Sequence, residues 1–182
     1  TVGVSQEAIA LLDEMVGLAA QSVHQPDARL NAFADWIQKN LITNGEWNDR
    51  KVVIFTEYED TLQWMIRQLP EILPINCEDR IEKYHGGLGE KRREMLRAAF
   101  NTNPKAHPLR ILICTDAARE GINLQAHCAD LFHFDLPWNP SRVEQRNGRI
   151  DRVLQPSPTI RCHYFIIKQR PEDKVLKYVV KK

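Results

Sequence analysis

Residues 135–152 read DLPWNPSRVEQRNGRIDR, and the interpretation of the whole chain starts from this stretch. Pro137 and Pro140 end the apolar run that comes before them, because proline lacks the backbone N–H that a strand or helix interior needs. Pro140 suits the first turn of a helix, with Asn139 as its N-terminal cap. We therefore predict a helix from Ser141 onward. It carries the arginines Arg142, Arg146, Arg149 and Arg152.

The spacing of these arginines places them on a shared helix surface, since residues three and four apart are neighbours. Their like charges repel each other by a few tenths of a kcal/mol per pair, roughly, and a polyphosphate would turn that repulsion into attraction. Gly148 costs about 1 kcal/mol of helix propensity relative to alanine, which favours a close backbone approach or a change of direction there. The alternative is a solvated basic helix without a ligand.

Residues 145–152, QRNGRIDR, fit the pattern QxxGRxxR and resemble motif VI of superfamily 2 helicases and translocases. The resemblance implies that Arg149 and Arg152 are catalytic arginine fingers, which stabilise charge on the γ-phosphate of an ATP held by another lobe. It also implies that Gln145 contacts the nucleotide.

The rest of the chain alternates short apolar runs with amphipathic segments. Predicted strands are 51–56, 80–84, 109–114, 129–135 and 159–167. Predicted helices, besides the arginine helix, are 5–20, 28–41, 59–69 (ending at Pro70), 90–100 and 172–181. This alternation predicts an α/β fold with a parallel sheet covered by helices on both faces. We divide it into a helical extension packed on the lobe (1–45), a RecA-like lobe (46–170) and a C-terminal helix (171–182).

Polar residues and glycines follow the predicted strands, at the sheet edge where sites form in parallel sheets. They resemble, in order, motif IV, the HGxxxQxxR block with Glu90 in place of glutamine, and motif V. The resemblance implies a set of residues that contact a nucleic-acid backbone: Thr56, His85, Gly86, Gly87, Arg93 and Thr115. It implies nucleotide contacts for Asp116 and Gly121. The alternatives are an ordinary turn at the glycines and a loop-capping role for Asp116.

The sequence Trp138-Asn139-Pro140 and the tail 152–155 resemble the Swi/Snf-type branch, nearest to its bacterial ATPases. The resemblance implies an ATP-dependent DNA translocase whose partners are duplex DNA and an N-terminal RecA-like lobe. No GxxxxGK[ST] motif occurs in the 182 residues, and the one Asp-Glu pair, Asp13-Glu14, lies in the predicted helix 5–20 and follows no predicted strand as a DExx box would. ATP and Mg²⁺ are therefore expected to be held mainly by that other lobe. We expect the isolated chain to be inactive. Two alternatives remain open, a lobe of a strand-separating RNA or DNA helicase and a non-catalytic interaction module.

Composition sets further limits. The net charge is only +1, but residues 136–182 hold 11 Lys and Arg against 4 Asp and Glu, whereas residues 1–135 hold 14 against 20. This basic last quarter suits a polyphosphate or nucleic-acid backbone. The four cysteines are scattered without metal-ligand spacing, so we predict no metal site. We see no signal peptide and no membrane segment, and we expect a monomeric domain in the bacterial cytoplasm or at the nucleoid.

Overall fold

The computed structural model describes residues 5–22, 25–116 and 122–166. The helices there are α1 (Gln6–Ser22), α2 (Ala28–Leu41), α3 (Glu59–Ile72), α4 (Glu90–Asn101) and α5 (Pro140–Asn147). The strands are β1 (Ile42–Thr43), β2 (Glu46–Trp47), β3 (Lys51–Thr56), β4 (Ile81–Tyr84), β5 (Ile111–Thr115), β6 (Cys128–His133) and β7 (Arg161–Tyr164). The predicted helix 172–181 lies outside the described residues. Among the described helices, none is both long enough and apolar enough to cross a membrane.

Five strands form one parallel sheet, as predicted. Their order in the sheet is β4-β5-β3-β6-β7. The central strand β3 is buried along its whole length, which explains its nearly continuous apolar sequence. The remaining strands, β1 and β2, form a short antiparallel hairpin around a turn at Asn44 and Gly45. Both turn residues have positive φ, 54° and 80°, as a two-residue hairpin turn requires.

Helices cover both faces of the sheet, and each face has its own apolar core. One core joins α2 and α3 to alternate residues of the strands, including Phe33, Met65, Ile54 and Ile113. The other core joins α4 to the strand residues that alternate with these and face the opposite side of the sheet. It includes Phe100, Val53, Leu112 and Ile150. The predicted RecA-like α/β architecture is therefore confirmed.

Helix α1 differs from the prediction that it packs on the lobe. None of its residues is buried. Its large apolar side chains are about half exposed or more: Ile9, Leu11, Leu12, Met15, Val16 and Leu18. The core toward which such a helix could pack is already closed by α2 and α3, whose apolar stripes are buried.

Two other helix ends also differ from prediction. Helix α3 continues through Pro70 to Ile72, because a proline in the last turn removes one hydrogen bond without stopping the chain at once. Helix α5 begins as predicted, with Asn139 accepting a hydrogen bond from the Ser141 N–H, but it ends at Asn147.

Two buried cations lie at the edge of the sheet where the strands begin. The Nζ of Lys51 donates to the carbonyls of Phe100 and Thr102 at the end of α4, a favourable place for a cation. Burial, followed by the nearby charge of Arg110, lowers the pKa of Lys51 to about 8. The guanidinium of Arg110 is only 4% exposed and donates to the carbonyls of Asn48, Pro104, His107 and Leu109.

Candidate phosphate-binding site at the carboxyl edge of the sheet

The carboxyl ends of the strands meet at one edge of the sheet. Thr56 ends β3 and pairs in register with Thr115, which ends β5. Asp135 lies just beyond the end of β6, and the start of α5 follows it. Three separate parts of the sequence are thereby brought together.

A cavity of about 310 Å³ opens at this edge. Its lining residues are Phe55, Thr115, Asp116, Asn139, Ser141, Arg142, Gln145, Arg146 and Arg149. The two motifs that the sequence placed far apart, one ending β5 and one on α5, therefore share a cavity. The lining includes Asp116 and Gln145, which are predicted to contact the nucleotide. It also includes Thr115, which is predicted to contact nucleic acid.

The most buried arginine of this region is Arg146, only 2% exposed. Its Nε and Nη2 each donate to an oxygen of the Asp116 carboxylate over 2.7 Å. Its Nη1 donates to the Asp135 carbonyl over 2.8 Å, and Nη2 reaches the Asp135 carboxylate at 3.1 Å. Burial opposes this charge, but the two carboxylates outweigh it and raise the pKa of Arg146 above its usual value.

This network gives the Asp116 carboxylate a partner within the chain. Both of its oxygens are engaged by Arg146 inside the chain, and the side chain is only 11% exposed. The predicted contact of Asp116 with a nucleotide stays a prediction, made from a carboxylate that already has a partner within the chain. The carboxylate belongs to a buried bidentate ion pair, the strong geometry for Arg and carboxylate.

Thr56 is also more deeply buried than a nucleic-acid contact requires. It is fully buried, and its hydroxyl donates to the Asp135 carboxylate. The same carboxylate accepts the backbone N–H of Glu57 over 2.9 Å. The Glu57 side chain in turn accepts a 2.6 Å hydrogen bond from Arg142. The Thr56 hydroxyl thus holds the end of β3 in place, and the predicted contact of Thr56 with a nucleic-acid backbone stays a prediction.

Thr115 differs from Thr56 in this respect. It is 2% exposed, and its hydroxyl oxygen is buried with no hydrogen-bond partner among the described residues. A buried polar atom without a partner is costly, about 1–3 kcal/mol, and points to a missing ligand or water. The hydroxyl lies at the wall of the cavity that Arg149 also lines.

Arg149 and Arg152 do not lie on a helix, contrary to prediction. Gly148 caps the end of α5, and the following residues form turns. Gly148 does not have a positive φ, and no other part of the described chain packs closely against it. A Cβ added at this position would meet carbonyl oxygens of α5, Glu144 O at 3.3 Å and Gln145 O at 3.6 Å. The low helix propensity of glycine explains why α5 ends here, because only proline is a weaker helix former.

The two predicted finger residues have different surroundings. Arg149 is partly buried and lines the cavity, and burial, then the charge of Arg152, lowers its pKa. Arg152 is exposed and does not line it, and its Nε donates to the Gly148 carbonyl over 2.6 Å.

The remaining predicted nucleic-acid contacts lie at the end of β4. His85 is buried, with its Nδ1 3.1 Å from a Glu59 carboxylate oxygen but not in hydrogen-bonding geometry. Gly86 and Gly87 are exposed, and a Cβ on Gly87 would come within 3.2 Å of the His85 ring. The close packing of Gly87 is thus against the histidine.

Arg93 lies in a second, smaller cavity of about 170 Å³. Its other lining residues are Tyr84, Glu90, Glu94, Arg97 and Ile122. The Nε of Arg93 is buried without a partner among the described residues. Burial raises the pKa of Tyr84, and the charges of Arg93, Arg97 and Arg149 partly oppose that rise. The predicted contact Gly121 lies outside the described residues.

The cavity residues fit a phosphate group but not a magnesium ion. Arg149, Gln145 and the buried Thr115 hydroxyl offer hydrogen-bond donors to an anion. Asp116 supplies the one carboxylate of the described cavity lining, and Arg146 engages both of its oxygens, so the lining presents no unpaired carboxylate to Mg²⁺. In the described part of the chain, no group of three or more His, Cys, Asp and Glu residues is arranged to hold a metal.

His133 makes the site sensitive to acid. Its Nε2 bonds the Asn147 side chain over 2.8 Å, and burial together with the charge of Arg146 lowers its pKa to about 4. An unfolded histidine has a pKa of about 6.5, so the unfolded chain takes up this proton first as the pH falls. We expect the free energy of unfolding to fall between pH 6.5 and 4, by about 2 kcal/mol at pH 5.

Urea unfolding of the wild type and of His133→Gln at pH 7 and pH 5 measures this effect. The variant should lose much less stability than the wild type between the two pH values, because it has no proton to bind. Equal losses in both proteins would show that His133 is not the responsible group.

The sequence reasoning missed the roles of Arg146, Asp135 and Glu57. A signal for Arg146 was present, since Val143 and Ile150 are buried and a residue at position 146 lies on the same helical stripe. An arginine on a buried stripe predicts a partner carboxylate. Its partners lie 30 and 11 residues away, and no local pattern indicates them.

A parallel RecA-like sheet with an arginine-lined cavity at its carboxyl edge defines a class of protein, the second lobe of helicase-type ATPases. The chain belongs to the helicase conserved C-terminal domain family, whose model matches residues 34–153. It is 35% identical over 137 residues to YqhH of Bacillus subtilis, described as an uncharacterized ATP-dependent helicase, covering 74% of this chain and 22% of that protein.

Two further comparisons agree. The RNA polymerase-associated protein RapA of Pectobacterium atrosepticum is 33% identical over 121 residues, 66% of this chain and 12% of RapA. A crystal structure of the C-terminal part of the Fun30 ATPase domain has a TM-score of 0.65 at 18% identity, covering 93% of this chain and 53% of that one. At this identity the structural likeness supports the fold alone. The chain spans about a fifth or less of the length of these two curated relatives.

Proposed function

We propose that this chain is the second motor lobe of an ATP-dependent DNA translocase, and that its carboxyl-edge cavity binds the phosphates of ATP. The observation that carries the proposal is the convergence of Arg149, Gln145 and the unpartnered Thr115 hydroxyl on one cavity. Groups of this kind stabilise the charge that develops on a transferred phosphoryl group.

The charges around the cavity support an anionic ligand. Arg142 is paired with Glu57, and Arg146 with Asp116 and Asp135. At Arg149, burial and then the charge of Arg152 disfavour the charged form and lower the pKa. An anion bound beside Arg149 removes this cost, so the cavity is electrostatically prepared for phosphate.

The chemistry that this chain does not supply must come from another lobe. The sequence has no GxxxxGK[ST] motif, its one Asp-Glu pair, Asp13-Glu14, lies in α1 and follows no strand, and the described cavity lining presents no unpaired carboxylate. We therefore propose that an N-terminal RecA-like lobe of the same protein holds ATP and Mg²⁺, and that Arg149 and Arg152 act as arginine fingers across the cleft. Of the two, Arg149 is better supported, because it lines the cavity.

Nucleic-acid contacts are proposed for the end of β4, where Gly86 and Gly87 are exposed and Arg93 has a buried Nε without a partner among the described residues. Exposed glycines allow a phosphate to approach backbone N–H groups. Duplex DNA is favoured as the substrate by the Swi/Snf-like sequence Trp138-Asn139-Pro140. We place the activity in the bacterial cytoplasm or at the nucleoid.

The test is ATP hydrolysis by the full-length protein with and without duplex DNA, beside a strand-separation assay. We expect duplex DNA to stimulate hydrolysis without strand separation, and the 182-residue chain to hydrolyse no ATP alone. Efficient strand separation would instead favour a helicase. Full-length protein that hydrolyses no ATP under any of these conditions would favour a non-catalytic interaction module.

A further inference from the structure

We propose that Arg146 is a positioning residue for the proposed ATP hydrolysis: it fixes the place of Arg149 by joining α5 to the ends of three strands. This inference rests on the proposed function, in which Arg149 acts on the phosphate. Arg146 itself is not proposed to be catalytic.

One guanidinium group connects all three strand ends. It holds Asp116, the first residue after β5, through two hydrogen bonds of 2.7 Å. It holds Asp135, beyond the end of β6, through both the carbonyl and the carboxylate. The same Asp135 carboxylate accepts the Thr56 hydroxyl and the Glu57 N–H at the end of β3. Moving Arg146 therefore disturbs the ends of β3, β5 and β6 together.

Backbone hydrogen bonds link the position of Arg149 to that of Arg146. The Arg149 N–H donates to the Arg146 carbonyl over 3.0 Å, and the Arg149 carbonyl accepts from the Leu124 N–H over 2.9 Å. The next residue, Ile150, is fully buried in the core on the α4 face. The Arg149 backbone is thus held between the end of α5 and the segment that follows β5, and Arg146 determines where the end of α5 lies.

Lysine cannot replace this arginine. The planar guanidinium makes a bidentate bond to Asp116 and reaches Asp135 in other directions, whereas an ammonium is a single point of charge. Arg146→Lys keeps the charge and most of the volume but loses the geometry. A shift of about 1 Å in a catalytic group can cost on the order of a hundredfold in rate.

A buried arginine can also act only on stability, and the chain offers a matched control for that alternative. Arg110 is buried to a similar degree, but its guanidinium bonds backbone carbonyls at the opposite edge of the sheet, far from the cavity lining. Arg110→Lys should destabilise the fold without touching the network around Arg149.

The experiment measures kcat, KM and the melting temperature of the full-length protein for the wild type, Arg146→Lys and Arg110→Lys, with activity expressed per folded molecule. We expect Arg146→Lys to lower kcat by about 10- to 100-fold with KM changed by less than about threefold. Arg110→Lys should lower the melting temperature and leave kcat within about twofold of the wild type.

The outcomes separate this inference from the proposed function. If Arg146→Lys keeps the wild-type kcat, or if Arg110→Lys loses as much, Arg146 is only structural and the inference is overturned. If Arg146→Lys does not fold, kcat is measured for Asp116→Asn instead. We expect this variant to lose about tenfold in kcat, and an unchanged kcat would contradict the inference. A wild-type protein without ATP turnover would overturn the proposed function, and this inference with it.

Discussion

Replacing Arg149 with alanine in the full-length protein should lower ATP turnover by about a thousandfold or more, the size of effect that arginine fingers have in other phosphoryl-transfer enzymes. Arg149 lines the carboxyl-edge cavity beside Thr115 and Gln145, so its loss removes the positive charge best placed to face a phosphate. DNA affinity should stay nearly unchanged, because the proposed nucleic-acid contacts lie at the end of β4. Steady-state turnover and DNA binding, measured on the same preparation, test both expectations.

Arg67→Ala is the matched control, since Arg67 is an exposed arginine of α3 and does not line the cavity. It should leave turnover and DNA binding unchanged. Arg152→Ala should have a smaller effect than Arg149→Ala, because Arg152 bonds the Gly148 carbonyl outside the cavity. Loss of DNA binding with normal turnover in Arg149→Ala would contradict the role we assign.

Asp130→Ala should lower the free energy of unfolding of the chain by about 3 kcal/mol. The Asp130 carboxylate is only 2% exposed and accepts hydrogen bonds from Arg161, His163 and Arg50. Although burial opposes its charge, these partners lower the pKa of Asp130 well below the usual range. Alanine removes the buried acceptor that these three side chains share, and with it the side-chain link between β6 and the edge strand β7, which carries Arg161 and His163.

Urea unfolding at pH 7 measures this loss. Asp35→Ala is the control, because Asp35 is an exposed carboxylate of α2 and its removal should change stability by less than about 0.5 kcal/mol. A loss at Asp130 no larger than that at Asp35 would show that the network contributes little, as surface ion pairs commonly do.

The fold could be predicted from the sequence where burial and local pattern agree. The strands β3, β5 and β6 are short apolar runs, and parallel strands buried on both faces require such runs. Helix ends were harder, because Gly148 ends α5 whereas Pro70, in the last turn of α3, does not end that helix. Helix α1 shows the opposite limit: its apolar face predicts packing, but the sequence does not say which surface it packs on.

The candidate site was predictable in part. Spacing and resemblance selected Arg149, Gln145 and Thr115, and the structure brings all three to one cavity. The internal partners of Thr56 and Asp116 were not predicted, because a polar residue at a strand end can face either a ligand or its own chain. Which of these occurs depends on Asp135 and Arg146, residues whose distances in sequence carry no local pattern.

The most direct measurement is the affinity of the full-length protein and of its Arg149→Ala variant for ADP alone and for ADP with aluminium fluoride, which mimics the phosphoryl group in transfer. If Arg149 stabilises that group, the wild type should bind the mimic at least about a hundredfold more tightly than ADP, and the variant should lose most of this preference while binding ADP normally. A variant that keeps the full preference would contradict the assignment of the cavity to the nucleotide phosphate.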